Sequence, residues 1–194
     1  MSHPLLRDAR FYLHLARIDA DVADRVREAG CPHPDCGGVL HVARFTRKPR
    51  FAAGFSWRAL GEEYDKRWSF CCAVDGCRRR VTPTSVRFMG RRWYLGVVVL
   101  LANALAHGLG YGRGKGLRAA LGVCWRTLER WRTWWLEALP ATMLWRGAGL
   151  VPPLAREAMP CALLERFAGD EEARVLGALR WLGPVTTARP GRSN

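Results

Sequence analysis

Two cysteine pairs constrain this chain more than any other feature. Cys31-Pro-His-Pro-Asp-Cys36 is followed, about 35 residues later, by Cys71-Cys72-Ala-Val-Asp-Gly-Cys77. Taking the second pair as Cys72 and Cys77 repeats the four-residue gap of the first, with Cys71 as an alternative to Cys72. Four thiolates on two tight turns are what a tetrahedral structural zinc site requires. Gly37-Gly38 follows Cys36 and Gly76 precedes Cys77, so each turn carries a residue that tolerates positive φ. The expected ligands of one structural zinc are therefore Cys31, Cys36, Cys72 and Cys77. His33 or His41 can stand in for a thiolate, and a disulfide or buried free thiols are the competing readings. Asp35 and Asp75 lie nearest the pairs in sequence and read as turn formers rather than as the general base of a catalytic zinc.

With 194 residues the chain can form one compact domain or two small ones, and 49% hydrophobic residues argue against wholesale disorder. It carries 31 basic residues against 17 acidic ones, a formal net charge of +14. A field of one sign favours a polyanionic partner, nucleic acid first. Only Lys48, Lys66 and Lys115 are lysines, so codon bias in a GC-rich genome accounts for part of the arginine excess, but not for the shortage of acids. Seven cysteines are an odd number, and residues 1–10 contain no apolar signal region. A reducing cytoplasm with metal ligation fits better than a disulfide framework. Cys124 and Cys161 read as packing residues. The longest apolar run, residues 93–109, is interrupted by Gly96, Asn103, His107 and Gly108. It falls short of the roughly 20 residues that a membrane helix needs, so a buried core helix is expected and no membrane association.

The pattern predicts an α+β chain. Residues 1–30 hold an amphipathic helix over 4–29, with Leu15, Ile18, Val22 and Val26 on one face. Residues 31–90 hold a small zinc β-ribbon. Its strands are expected at 39–45, 66–70, 79–82 and 85–88, with a loop and one helical turn between the first and the second. Residues 91–140 hold a helical bundle that begins with a helix over 93–107. Residues 108–116 place glycine at every second position, which the interior of a helix or strand does not tolerate. Residues 141–194 are expected to be helical over 161–167 and again behind the N-cap Asp170, with Val175, Leu176, Leu179 and Leu182 on one side. Pro184 closes that helix and residues 185–194 read as frayed.

Residues 117–131 carry a second signal. Gly122 permits a sharp turn between two helices, and Leu117, Leu121, Val123, Leu128 and Trp131 supply the core between them. Cys124, Leu128, Trp131, Trp135 and Leu139 recur at helical spacing and face inward. Trp125, Arg126, Glu129, Arg130 and Thr133 are left outward, toward a DNA groove, where arginine is the commonest reader of guanine. A plain helical hairpin packed by tryptophans is the competing reading. Basic residues also flank the cysteine pairs: Arg44, Arg47, Lys48 and Arg50 on one side, Arg78, Arg79, Arg80, Arg87, Arg91 and Arg92 on the other. With Arg113 and Lys115 from the glycine-rich stretch, they form the expected phosphate-binding set. Phe45, Trp57 and Trp68 are candidates for stacking on bases.

Leu121-Gly122-Val123, Thr127, Arg130 and Trp131 resemble the helix-turn-helix of bacterial regulators and transposase N-terminal regions. Cys124 departs from the usual Ser or Thr cap, and Arg118 from the usual small residue. Ribbon, arginine-rich strand and helix-turn-helix together resemble the N-terminal DNA-binding region of insertion-sequence transposases over residues 31–138. The resemblance implies DNA binding without catalysis, because the carboxylate-bearing catalytic domain of those proteins has no counterpart in residues 139–194. The expectation is a non-enzymatic, zinc-stabilised protein that binds double-stranded DNA, an accessory or regulatory factor of a mobile element with a transposase or other protein as partner. An RNA-binding ribonucleoprotein component and a protein-interaction adaptor are the alternatives.

Overall fold

Apolar side chains at 11, 12, 15, 18 and 23 share one helical stripe, and the chain folds there into helix α1, Ala9–Ala29. The computed structural model describes residues 8–47, 60–89, 93–94, 115, 118–119, 124–147 and 161–187. Asp8 caps α1, its carboxylate accepting from Arg10 N at 2.9 Å. Gly30 ends it at φ 76°. That conformation favours glycine, and a Cβ there would also lie 2.9 Å from Gly37 O. The helix therefore stops at the residue before Cys31 and delivers the first thiol directly.

The architecture is mixed α and β, with small antiparallel sheets. Strands β1 (Leu40–Val42), β4 (Phe70–Cys72) and β5 (Arg80–Val81) form a three-stranded sheet in the order β1-β4-β5. Strands β2 (Phe45–Thr46) and β3 (Lys66–Arg67) form a second pair, and β6 (Phe88–Met89) and β7 (Trp93–Tyr94) a third. The strands expected at 39–45 and 66–70 are each interrupted, at Ala43-Arg44 and at Trp68-Ser69. The breaks face each other across the ladder, where Ala43 N donates to Ser69 O at 2.9 Å. Of the segment 85–88, only Phe88 is in a strand. Ser85 Oγ instead accepts from the Arg87 and Phe88 amides at 3.1 and 3.0 Å, which holds 85–88 as a turn.

Helix α2 (Trp125–Thr133) runs into a π-helical turn, Trp134–Ala138. Short helices α3 (Met143–Gly147) and α4 (Cys161–Leu164) precede α5 (Glu171–Trp181), whose N-cap Asp170 accepts from Ala173 N at 2.9 Å. Leu128, Trp131, Trp135 and Leu139 are buried against Phe11, Leu15 and Ile18 of α1 and Val175, Leu176, Leu179 and Leu182 of the last helix and its end. A second, smaller core joins Ala23 of α1 to Cys31, Leu40, Phe70 and Cys72. One helix thus seats both clusters, its first three turns on the helical core and its later turns on the cysteine-bearing sheet.

Several expectations change. Residues 93–94 pair with β6 (Met89↔Trp93, Phe88↔Tyr94), so a helix does not begin at Trp93. The rest of the expected helix over 93–107 lies outside the described residues, as do Leu117, Leu121, Gly122 and Val123. Lys115 is helical, although it sits in the glycine-rich stretch. Val185 and Thr186 are not frayed: they belong to a 3-10 turn, Gly183–Thr186, where Thr186 Oγ1 accepts from Ser85 N at 3.0 Å. Cys124 is exposed and is not a packing residue; at the helix N-cap its thiol points to Thr127 Oγ1 at 3.3 Å.

Asp19 falls on the buried stripe of α1, one helical turn beyond Leu15. Only 3% exposed, it accepts from Ser85 Oγ at 2.6 Å, Val86 N at 2.7 Å and Arg87 Nε at 2.8 Å. Arg87 also donates to Tyr64 O and Lys66 O. A charge survives burial only when paired and hydrogen-bonded, and this hub ties α1, the β3 region and the turn before β6 to the C-terminal turn. No helix among the described residues is long and apolar enough to cross a membrane.

Candidate metal centre

Cys31, Cys36, Cys72 and Cys77 come together, their sulfurs all within 4.8 Å of one another. The group can hold a metal ion. Cys31 Sγ lies 3.7 Å from Cys77 Sγ, and Cys36 Sγ 3.6 Å from Cys72 Sγ. A tetrahedral thiolate site with metal–sulfur bonds of about 2.3 Å has sulfur–sulfur edges of about 3.8 Å, whereas a disulfide needs about 2.05 Å. The spacing fits the first and excludes the second. Cys71 is outside the group; its thiol points to Arg78 O at 3.5 Å and Cys72 O at 3.7 Å. His33 Nδ1 is engaged with Pro34 O at 3.1 Å, and His41 is exposed on β1.

The two cysteine turns are copies of each other at an offset of 41 positions, Cys31 and Cys36 matching Cys72 and Cys77. Cys36 N donates to His33 O and Cys77 N to Val74 O, at 3.1 and 2.9 Å. Cys31 N donates to Gly38 O and Cys72 N to Arg79 O, both at 2.9 Å. The His33 amide donates to the Cys31 sulfur and the Val74 amide to the Cys72 sulfur. Such amides stabilise thiolates. This correspondence selects Cys72 over Cys71, because a shift of one residue would turn the thiol to the other face of the strand.

The bend residue differs from the sequence expectation. Gly76 has no positive φ; the left-handed positions are Asp35 (61°) and Gly37 (56°) in the first turn and Arg78 (43°) in the second. Gly37 and Arg78 are equivalent, so an arginine occupies a glycine position, at a cost of about 1–2 kcal/mol. Gly38 is required for another reason. A Cβ there would lie 2.5 Å from Val74 Cγ2 and 3.1 Å from Cys72 Sγ. Gly38→Ala is expected to crowd the thiol group, lowering stability by about 1–3 kcal/mol and weakening metal retention in chelator competition. Gly76→Ala, with open space around the new methyl, is expected to leave both unchanged.

The thiols cannot all ionise unaided. At Cys31 the His33 amide pulls the pKa down, but burial and the Cys77 and Cys36 thiols outweigh it, and the pKa is raised. At Cys72 the Val74 amide is likewise outweighed by burial and the three neighbouring thiols, and the pKa is pushed up to about 12. At Cys77 the pKa is lowered, first by the Arg79 amide. A bound cation supplies the positive charge that four adjacent thiolates need.

The structure sorts the basic residues around this centre into two sets. Arg44 donates to Glu63 Oε2 at 2.6 Å and lies 3.7 Å over the Trp68 ring, and Lys66 donates to Glu63 Oε1 at 2.6 Å. Arg87 is buried on Asp19, and it and Arg44, held by Glu63 and the Trp68 ring, are withdrawn from the phosphate-binding set. Trp68 is half-buried, stacked on Phe70 and covered by Arg44, which leaves little ring face for a base. Arg47 is half-buried, its guanidinium 4.1 Å over the Phe45 ring. Arg78, Arg79 and Arg80 are exposed in succession; Arg78 lies 3.8 Å from a fully exposed Asp75. Lys115 is exposed. Lys48, Arg50, Trp57, Arg91, Arg92 and Arg113 lie outside the described residues.

On α2, Arg126, Glu129, Arg130 and Thr133 are exposed, as their spacing predicts. Trp125 is half-buried, its Nε1 donating to Glu129 Oε1 at 2.6 Å, and Arg130 donates to Thr127 Oγ1 at 3.4 Å. The contribution of Asp19 was legible in principle from its place on the apolar stripe of α1. That of Gly38 had no sequence signal beyond its neighbour Gly37. No family model matches this chain, and no curated protein or solved structure matches it.

Proposed function

We propose that this chain is a non-enzymatic, zinc-stabilised DNA-binding protein. The observation that carries the reading is the four-thiol group set directly against three consecutive exposed arginines, Arg78, Arg79 and Arg80. The metal holds a sheet too small to stand alone, and the arginines neutralise phosphates. Zinc suits an all-cysteine tetrahedral site and brings no redox chemistry of its own. The exposed face of α2 is the base-reading element: Arg126 and Arg130 suit guanine O6 and N7, and Glu129 suits the amino group of cytosine. A role as an accessory or regulatory factor of a mobile element rests on the resemblance to transposase N-terminal regions, and a transposase gene recurring beside this one would support it.

The test is selection of bound fragments from sheared genomic DNA by the zinc-loaded protein near physiological salt. A shared motif is expected. Changing Arg126 and Arg130 together to Ala is expected to abolish the motif, each arginine contributing about 1–3 kcal/mol of discrimination. Recovery of structured RNA in preference to duplex DNA, or retained function in that double variant, would contradict the reading in favour of an RNA-binding component or a protein adaptor.

A further inference from the structure

Strand register places three side chains in a row across the sheet: His41 opposite Cys71, and Cys71 opposite Arg80. The alternate positions Leu40, Phe70 and Cys72 are buried in the core beneath, so this row lies on the sheet's outer face. His41 and Arg80 are exposed and Cys71 half-buried. Arg79 and Arg78, directly before β5, extend the charge into the second cysteine turn, and Arg78 keeps a left-handed backbone where the matching turn uses Gly37. An arginine held at a glycine position signals a demand other than stability. Among the described residues, the only acid paired to an arginine of this row is the fully exposed Asp75, 3.8 Å from Arg78, whereas Arg44, Lys66 and Arg87 are held by Glu63 and Asp19.

We propose that the outer face of the β1-β4-β5 sheet, through His41, Arg78, Arg79 and Arg80, is a sequence-independent docking surface for the phosphate backbone of duplex DNA. The inference rests on the DNA-binding reading and adds to it the sheet face that does the docking and the non-arginine donor His41. The sheet positions the duplex without reading it, while α2 reads bases. Backbone contacts fix register and carry no sequence information.

The experiment measures affinity for a random-sequence duplex over a series of salt concentrations, using zinc-loaded full-length protein. Removing one arginine–phosphate pairing lowers the steepness of log K against log salt by about 0.9. Arg80→Ala is expected to lower it by about that amount, Arg78→Ala and Arg79→Ala similarly, and His41→Ala to weaken binding less. Arg44→Gln, whose charge is already taken up by Glu63, is expected to leave the slope unchanged. Zinc content confirms that each variant keeps its sheet. A second readout uses thiols already present: duplex DNA is expected to slow alkylation of Cys71 in the zinc-loaded protein several-fold. Unchanged slopes in the three arginine variants, with Cys71 equally reactive in bound protein, would overturn the surface while leaving DNA binding intact. No binding by the unaltered protein would overturn both together, and that failure is recognisable because it precedes any substitution.

Discussion

Cys72→Ser is expected to abolish metal binding and to unfold the three-stranded sheet. Cys72 is fully buried, contributes one of four sulfurs within 4.8 Å, and pairs through its backbone with Leu40 of β1. The strands it links are two and three residues long, and the apolar core beneath them is small. Structural zinc supplies about 10–16 kcal/mol in small metal-dependent folds, comparable with the whole stability of a domain, about 5–15 kcal/mol. No rearrangement of so slight a sheet offsets that loss. Cys71→Ser is the matched control one residue away. Its thiol lies outside the sulfur group, so metal content and folding are expected to be retained. Metal analysis and circular dichroism of the two variants decide the matter. If Cys71→Ser lost the metal and Cys72→Ser kept it, the ligand set would be wrong.

Asp19→Ala is expected to destabilise the fold by about 3–5 kcal/mol, the usual cost of leaving a buried charge without its partner. The abandoned group is Arg87, 5% exposed, and the Ser85 hydroxyl and Val86 amide lose their acceptor with it. Arg67 is buried nearby on Phe88 O and Pro83 O, its pKa lowered by burial to about 10. Asp19 is the buried acid facing these two arginines, so its loss leaves both cations without their buried counter-charge. Asp24→Ala on the exposed face of the same helix is expected to fall within about 0.5 kcal/mol of the parent. Urea unfolding of both variants measures the difference, and equal midpoints would mean that the hub contributes little.

Much of this was written in spacing. The cysteine pairs carry their geometry in a repeated four-residue gap. Leu128, Trp131, Trp135 and Leu139 follow one helical face and are all buried. Asp170 caps its helix as its neighbours Glu171 and Glu172 suggest. What escaped depends on tertiary contacts. Strands of two or three residues are set by their partners, so the breaks at Ala43-Arg44 and Trp68-Ser69 leave no trace in propensity. Trp93 and Tyr94 begin an apolar run that reads as helix, yet they pair with Phe88 and Met89. The arginine count could not separate Arg87, which holds the core together, from Arg80, which faces solvent. The positive φ falls on Arg78, the counterpart of Gly37, and not on Gly76, although Asp35 at the position matching Gly76 is left-handed; the two turns share the bend after the second cysteine and differ before it.

The central claim is that one zinc ion, held by Cys31, Cys36, Cys72 and Cys77, stabilises the fold. It is tested most directly by weighing the purified protein under non-denaturing conditions before and after a strong chelator, while following its folding. The account predicts one zinc per chain, and loss of the sheet with exposure of all four thiols when that zinc is removed. A metal-free protein with an unchanged cooperative unfolding transition would contradict it.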